Sequence, residues 1–320
     1  MAPPFEYLAH LPDVRARARA SLLGLAVGDA LGATVEFMTA GEIAAKYGVH
    51  RRMVGGGWLG LDPGQVTDDT QMSICIARSL VAVGYCPEDI ARRFVAWYRS
   101  KPPDVGNTCR RGIARFINQG TVFGPPNEGD AGNGAAMRMA PVAVGALADE
   151  KLLEAMAIGQ AHITHHHALS DAASVLIGRL IQLALLGHSM DRLRCQADDA
   201  AARFPKFRYQ PYHGLATAYV VDTMQTVLHF LFATSSFEEC VVATVNHGGD
   251  ADTTGAIVGA IAGAYYGPDG IPRDWLRKLD PGVREELACL SEQLVDRSPL
   301  ANGHPITVSP PDNRMGRDGG

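Results

Sequence analysis

Residues 245–267 read VNHGGDADTTGAIVGAIAGAYYG, and the spacing of their glycines decides the fold. Gly255, Gly259, Gly263 and Gly267 recur every fourth residue through an apolar run. That spacing lines them along one face of a helix. Glycine inside a helix costs roughly 1 kcal/mol per residue against alanine, so something must offset it. Close approach of a second helix is the obvious offset. The segment RARARASLLGLAVGDALG (15–32) carries a matching stripe at Gly24, Gly28 and Gly32. The two striped helices are expected in the interior, against each other. Asp250, Asp252, Thr253 and Thr254 stand at the mouth of the second one.

Outward from this pair, helical periodicity dominates. It predicts helices over 69–84, 87–100, 108–120, 135–148, 151–163, 168–187, 215–234 and 236–248. Pro87-Glu88-Asp89 opens one of them, Ser236 with Glu239 resembles a capping box, and Gly84 and Gly120 close two others. Loops rich in Gly, Pro and Asn fall at 48–66, 101–107, 121–134 and 204–214. Alternating strand patterns are scarce. The expectation is one compact all-α domain over residues 1–297, with any strands short and accessory. Residues 298–320 are Pro/Gly-rich and charged, and are expected to be a disordered tail.

The formal net charge of the 320 residues is −5, which argues against a nucleic-acid backbone as the main partner. The six cysteines are scattered without a C-x-x-C and read as free thiols in a reducing compartment. The N-terminus lacks the regions of a signal peptide, and no uncharged apolar run reaches the roughly 20 residues of a membrane span. A cytoplasmic protein is expected.

Two clusters carry the chemistry. Thr67-Asp68-Asp69-Thr70 and Asp250-Ala251-Asp252-Thr253-Thr254 each place acids and hydroxyls just before an apolar helix. An N-cap would account for one acid in each. It does not account for four carboxylates flanked by threonines. Hard oxygen donors without cysteine suit Mg²⁺ or Mn²⁺. Four carboxylates exceed what one ion usually requires, which points to a two-metal site with ions about 3.5–4 Å apart.

Other candidates stand nearby. Glu36, in GATVEFM, reads equally as a solvated loop acid or a site acid. Asp29 sits among apolar residues and needs partners; it is expected either to accept at a helix end or, the preferred reading, to hold a metal ligand in place. Asp104, after two prolines, could cap the helix near Thr108 or serve as a rigidly placed acid/base. The turn GDAGNGAAMR (129–138) is a candidate phosphate cradle at a helix N-terminus. In HITHHHALSD (162–171) consecutive histidines point apart, so His165 is preferred as a ligand contact, with His166 and His167 as caps or surface.

The ordered set GLAVGDALGATVEF, VTDDTQMS, DVGNTCRRG, GNGAAMRMAPV, HITHHHALSDA and VNHGGDADTTGAIVGAIAGAYYG resembles the ADP-ribosylglycohydrolases over residues 18–290. GEIAAKYGVH, GGGWL, YHGLATAYVVDTMQTV and WLRKLD bring it nearest to the nitrogenase-directed members. The resemblance implies an all-α domain with a dinuclear Mn²⁺ or Mg²⁺ centre, its ligands at Thr67, Asp68, Asp69, Asp250, Asp252 and Thr253. Glu36 matches a glutamate near the metal-bound water, and Asp104 an acid implicated in catalysis. Gly106, Asn107, Glu128, Gly132, Asn133, Gly134, His165 and Tyr212 fall where the family contacts ADP-ribose. The implied activity is hydrolysis of the bond between ADP-ribose and an arginine of a protein, nitrogenase iron protein by this likeness. A PII signalling protein and, through it, the membrane ammonium channel are the implied regulatory partners, with reversible membrane association through them. The rivals are a hydrolase of another linkage (serine, a nucleic-acid base or a toxin target) and a non-catalytic ADP-ribose-binding protein.

Overall fold

In the computed structural model, residues 11–303 are described, His213 excepted. Helix α1 (Leu11–Gly32) and the second striped helix, Ala251–Tyr266, are the most extensively contacting pair. Between them run, in chain order, α2 (Ala40–Tyr47), α3 (Asp68–Val83), α4 (Pro87–Arg99), α5 (Asn107–Gln119), α6 (Ala140–Gly145), α7 (Glu150–His162), α8 (Ala168–Leu185), α9 (Met190–Arg203), α10 (Val220–Ala233) and α11 (Phe237–Asn246). The second striped helix is therefore α12, followed by α13 (Arg273–Lys278), α14 (Pro281–Arg297) and α15 (Pro299–Asn302). Among the described residues there are no strands, only the isolated bridges Thr39–Gly248, Gly56–Leu61 and Gly132–Tyr219.

The stripes do what their spacing predicts. A Cβ placed on Gly24 would lie 2.2 Å from the Gly259 carbonyl oxygen, one on Gly28 1.9 Å from that of Gly255, and one on Gly32 2.2 Å from that of Ala251. Residue numbers rise on one helix as they fall on the other, so the pair is antiparallel and in backbone contact. Every residue of α12 from Ala251 to Ala264 is buried. Around the pair pack α11, α14, α8 and α10, with α3 meeting one end.

Several predicted boundaries move. The helix expected over 135–148 is only α6; residues 133–139 form turns, because Ala136 N–H and Met137 N–H both donate to Asn133 O. Pro141 has no N–H to donate backwards and stands in the first turn of the new helix that starts at Ala140. The helix expected from 215 starts at Val220, since Tyr219 pairs with Gly132. Helices α2, α9, α13 and α14 were not read from periodicity. In α9 the buried residues are Leu193, Ala197 and Ala201, a stripe too narrow to stand out. Glu239 accepts from Ser235 and not from the Ser236 backbone, so the expected capping box is half formed. The tail does not begin at Ser298: Leu300 is buried and its N–H donates to Leu147 O. Residues 304–320 lie outside the described residues.

Helix α8 is long and apolar enough by composition to cross a membrane, with mean hydropathy 1.4 over 18 residues, yet 67% of it is buried in the fold. It is a core helix packed against α7, α9 and α12.

Gly28→Ala should lower stability by about 2 kcal/mol or more, the upper part of the overpacking range, because its Cβ meets backbone that cannot yield. Gly41→Ala in α2, where the new Cβ meets only Thr39 Oγ1 at 4.0 Å, should be stabilising by up to about 1 kcal/mol. Urea unfolding of the two variants checks both.

Candidate active site

Antiparallel contact sets the C-terminal end of α1 beside the N-terminal end of α12. The acids at that end are not ordinary caps. Thr67, the N-cap residue of α3, makes no side-chain capping bond, and neither does Asp250 at α12. Helix α3 is capped instead from α1. Asp29 accepts from Thr67 N–H at 3.0 and 3.1 Å, Thr67 Oγ1 at 2.9 Å, Thr70 N–H at 3.1 Å and Thr70 Oγ1 at 2.5 Å. Asp29 is thus both a helix-end acceptor and the support of Thr67. Its trans cap leaves Thr67, Asp68 and Asp69 free to face α12.

Across that gap Thr67 Oγ1 lies 3.3 Å from Asp69 Oδ2 and 3.4 Å from Asp252 Oδ2, and Thr253 Oγ1 lies 3.3 Å from Asp69 Oδ2. One hydroxyl hydrogen on Thr67 faces three carboxylate oxygens, counting Asp29. Asp69 Oδ1 is buried with no hydrogen-bond partner. Carboxylate oxygens of Glu36, Asp104 and Asp252 lie within 4.8 Å of one another. An orphaned buried oxygen in a set of hard oxygen donors fits a divalent cation such as Mg²⁺ or Mn²⁺. Asp68 Oδ2 accepts from Gly106 N–H at 3.2 Å, and Asp250 Oδ2 from Asn133 Nδ2 at 2.7 Å, so both are tied to neighbouring loops.

Burial governs the charges. It pushes Asp68 up to about 7, with the Asp104 carboxylate adding. It pushes Glu36 up to about 8, against the lowering effect of its bond from Trp58, with Asp250, Asp104 and Asp68 adding. Asp69 and Asp252 are held well above the usual carboxylate range, by burial first and by surrounding carboxylates next. Asp104 is raised by burial, opposed by its bond from Val105 N–H. Asp29 reaches about 6 through burial, opposed by its four threonine donors.

Above this floor opens a cleft of about 630 Å³. Glu36, Asp68, Asp104, Asp250, Asp252 and Thr253 line it, as do Gly106, Asn107, Glu128, Gly132, Asn133, Gly134 and His165. Thr67 and Asp69 lie beneath, buried. The glycine turn is not a helix N-terminus, since α6 begins only at Ala140. It is instead a cradle against His165: a Cβ on Gly132 would lie 3.0 Å from His165 Nε2, and one on Gly134 2.9 Å from its Cε1. Arg138, fully buried, donates to Thr164 Oγ1 at 2.8 Å. His165 Nδ1 is hydrogen-bonded to that Thr164 hydroxyl at 2.8 Å. Burial first, then the Arg138 and Arg111 charges, hold its pKa well below the usual value, so it stays neutral. The other two histidines point elsewhere: His166 to Gly124 O, and His167 as the N-cap of α8.

Tyr212 stacks its ring on His229 at 4.3 Å, and its hydroxyl bonds Thr226. Phe37, Trp58, Arg110 and Tyr219 are among the cleft residues that were not singled out from the sequence. The only signal was the odd run GGGWLG around Trp58. Phe37 and Tyr219 reach the cleft only through the turns that carry them.

A model of the ADP-ribosylglycohydrolase family matches residues 10–303. The ADP-ribosyl-[dinitrogen reductase] glycohydrolase of Rhodospirillum rubrum is 54% identical over 277 residues, covering 86% of this chain and 94% of that protein. The ADP-ribosylarginine hydrolase Tri1 of Serratia proteamaculans is 31% identical over 302 residues, covering 88% of this chain and 80% of that one. The solved structure of an ADP-ribosylglycohydrolase-related protein complex matches with a TM-score of 0.80 at 34% identity, over 89% of this chain and 99% of that chain.

The raised acids set the pH dependence of the metal-free fold. A carboxyl whose folded value exceeds its unfolded value, near about 4, stabilises fully below that value and loses its contribution as pH rises through the folded one. The thermal midpoint of chelated protein should fall as pH rises from about 5 to about 8.5, through the values of Asp29, Asp68 and Glu36. Added Mn²⁺ should raise the midpoint more at pH 8 than at pH 5.5, since ligands must be deprotonated. Differential scanning fluorimetry measures both.

Proposed function

The chain belongs to the ADP-ribosylglycohydrolase family, and on that premise we propose that it is a metal-dependent hydrolase that removes ADP-ribose from an arginine side chain of a protein. The observation that carries the reading is the buried acid set around Asp69, whose unpartnered oxygen sits beneath a cleft bordered by Glu36, Asp104 and Asp252. In this reading Thr67, Asp68, Asp69, Asp250, Asp252 and Thr253 hold two divalent ions, manganese or magnesium. When bound, the ions supply Lewis-acid stabilisation beside the ribose hydroxyls.

The chain's own residues do the rest. Cleavage breaks the bond between the anomeric carbon and the guanidine nitrogen, and water supplies the new oxygen. Positive charge grows on the sugar ring as the bond opens. The converging carboxylates of Glu36, Asp104 and Asp252 suit that charge electrostatically. Asp104 is half-buried beside the α5 N-terminus and moves the proton between water and leaving nitrogen, with Glu36 as its neighbour in that task. Gly106, Asn107, Glu128 and the Gly132–Gly134 turn hold the ADP-ribose. The neutral His165 ring backs that turn.

Two relatives are named for ADP-ribosylarginine or dinitrogen reductase, which supports an arginine linkage and nitrogenase iron protein as target. The reading carries with it a cytoplasmic location and control through a PII protein and the ammonium channel.

ADP-ribose release from modified iron protein should require Mn²⁺ or Mg²⁺ and stop on chelation. Asp252→Asn should cut kcat by more than the roughly 10–100-fold that loss of an outer supporting group costs, with an unchanged helical circular dichroism spectrum. Near-normal turnover in that variant would sink the metal mechanism.

A further inference from the structure

Two aromatic rings stand at the cleft mouth where the core has no use for them. Phe37 is 65% exposed and Trp58 56% exposed, and both line the cleft. Their ring centroids are 5.4 Å apart, inclined by 45°. Neither packs against the hydrophobic core. Phe37 also holds φ at +63°, a left-handed conformation that disfavours any residue with a Cβ. A backbone strap enforces it: Phe37 N–H donates to Gly249 O at 2.7 Å, and Gly249 N–H to Met38 O at 2.9 Å. Strain kept by surrounding structure at a cleft points towards function.

The chemistry around the rings says what they receive. Trp58 Nε1–H donates to Glu36 Oε2 at 2.6 Å, so the indole borders the acid cluster directly. The cluster has a different neighbour at Asp250, where Asn133 brings in the glycine turn. That turn offers backbone N–H donors, which suit a pyrophosphate. Ring faces carry negative quadrupole potential, which repels phosphate and attracts a cation. A guanidinium is planar, permanently charged and weakly hydrated, and it stacks on aromatic faces. Resting on the arginine-hydrolase reading above, we propose that Phe37 and Trp58 form the subsite for the guanidinium of the modified arginine and select a cationic linkage over a neutral one.

The test compares wild type, Phe37→Leu, Trp58→Leu, Trp58→Phe and Phe37→Trp on arginine-linked and serine-linked ADP-ribosyl peptides. Calorimetry of ADP-ribose binding is run in parallel. Phe37→Leu keeps apolar bulk but removes the ring. It should raise KM for the arginine-linked peptide about 3–10-fold with kcat within about twofold, and Phe37→Trp should restore KM. Trp58→Leu should raise KM similarly. Trp58→Phe keeps a ring without the bond to Glu36, and should retain most of the arginine preference while changing kcat. ADP-ribose affinity and any serine-linked KM should stay within about twofold in Phe37→Leu. Phe37→Gly should leave the thermal midpoint unchanged or raised, since glycine accepts the positive φ. Weaker ADP-ribose binding in Phe37→Leu would instead assign the rings to adenine and overturn the proposal. An unchanged KM in an active enzyme overturns it while leaving the hydrolase reading intact. Failure of wild type to cleave the arginine linkage overturns that reading first.

Discussion

Backbone contact between α1 and α12 is the constraint on which the rest of the structure depends. Where Gly28 faces Gly255 there is no room for a single extra carbon. The antiparallel direction then determines which ends meet. Gly32 lies against Ala251, so the chain leaving α1 towards Glu36 passes beside Asp250 and Asp252. The same helix carries Asp29 to the first turn of α3. Three helix ends are thereby held at one point, two by main-chain contact and the third by the Asp29 carboxylate.

That arrangement carries an electrostatic cost. Carboxylates of Asp69, Asp252, Asp68 and Glu36 are buried together, and each disfavours the ionisation of its neighbours. Charged groups in such a setting need a cation or protons. The fold keeps them there through groups that do not face the cleft. Asp29 takes over the capping of α3, so Thr67 and its two aspartates do not serve as that helix's cap. The buried Arg138 holds Thr164, whose hydroxyl is hydrogen-bonded to His165 Nδ1. These supports explain why removing a residue remote from the substrate is expected to disturb the site.

Much of this was legible in the residues. The every-fourth glycines predicted the interior helix pair, and the excess of acids over what two caps need predicted an oxygen-ligand site. The same reasoning extended a helix through 135–139, where Asn133 O captures two N–H groups and starts a turn instead. Phe37 was invisible because nothing in GATVEFM announces a positive φ. Only the strap to Gly249 produces it.

The sequence by itself determined the all-α class, the glycine-faced pair and the two acidic helix tips, because these rest on local spacing and side-chain chemistry. Tertiary structure decided that the tips converge and that Asp29 caps a helix other than its own. It also decided which rings border the acids. Those facts depend on contacts between residues far apart in the chain, such as Asp29 with Thr67 and Asp69 with Thr253, and no local pattern records which distant partner a side chain will meet.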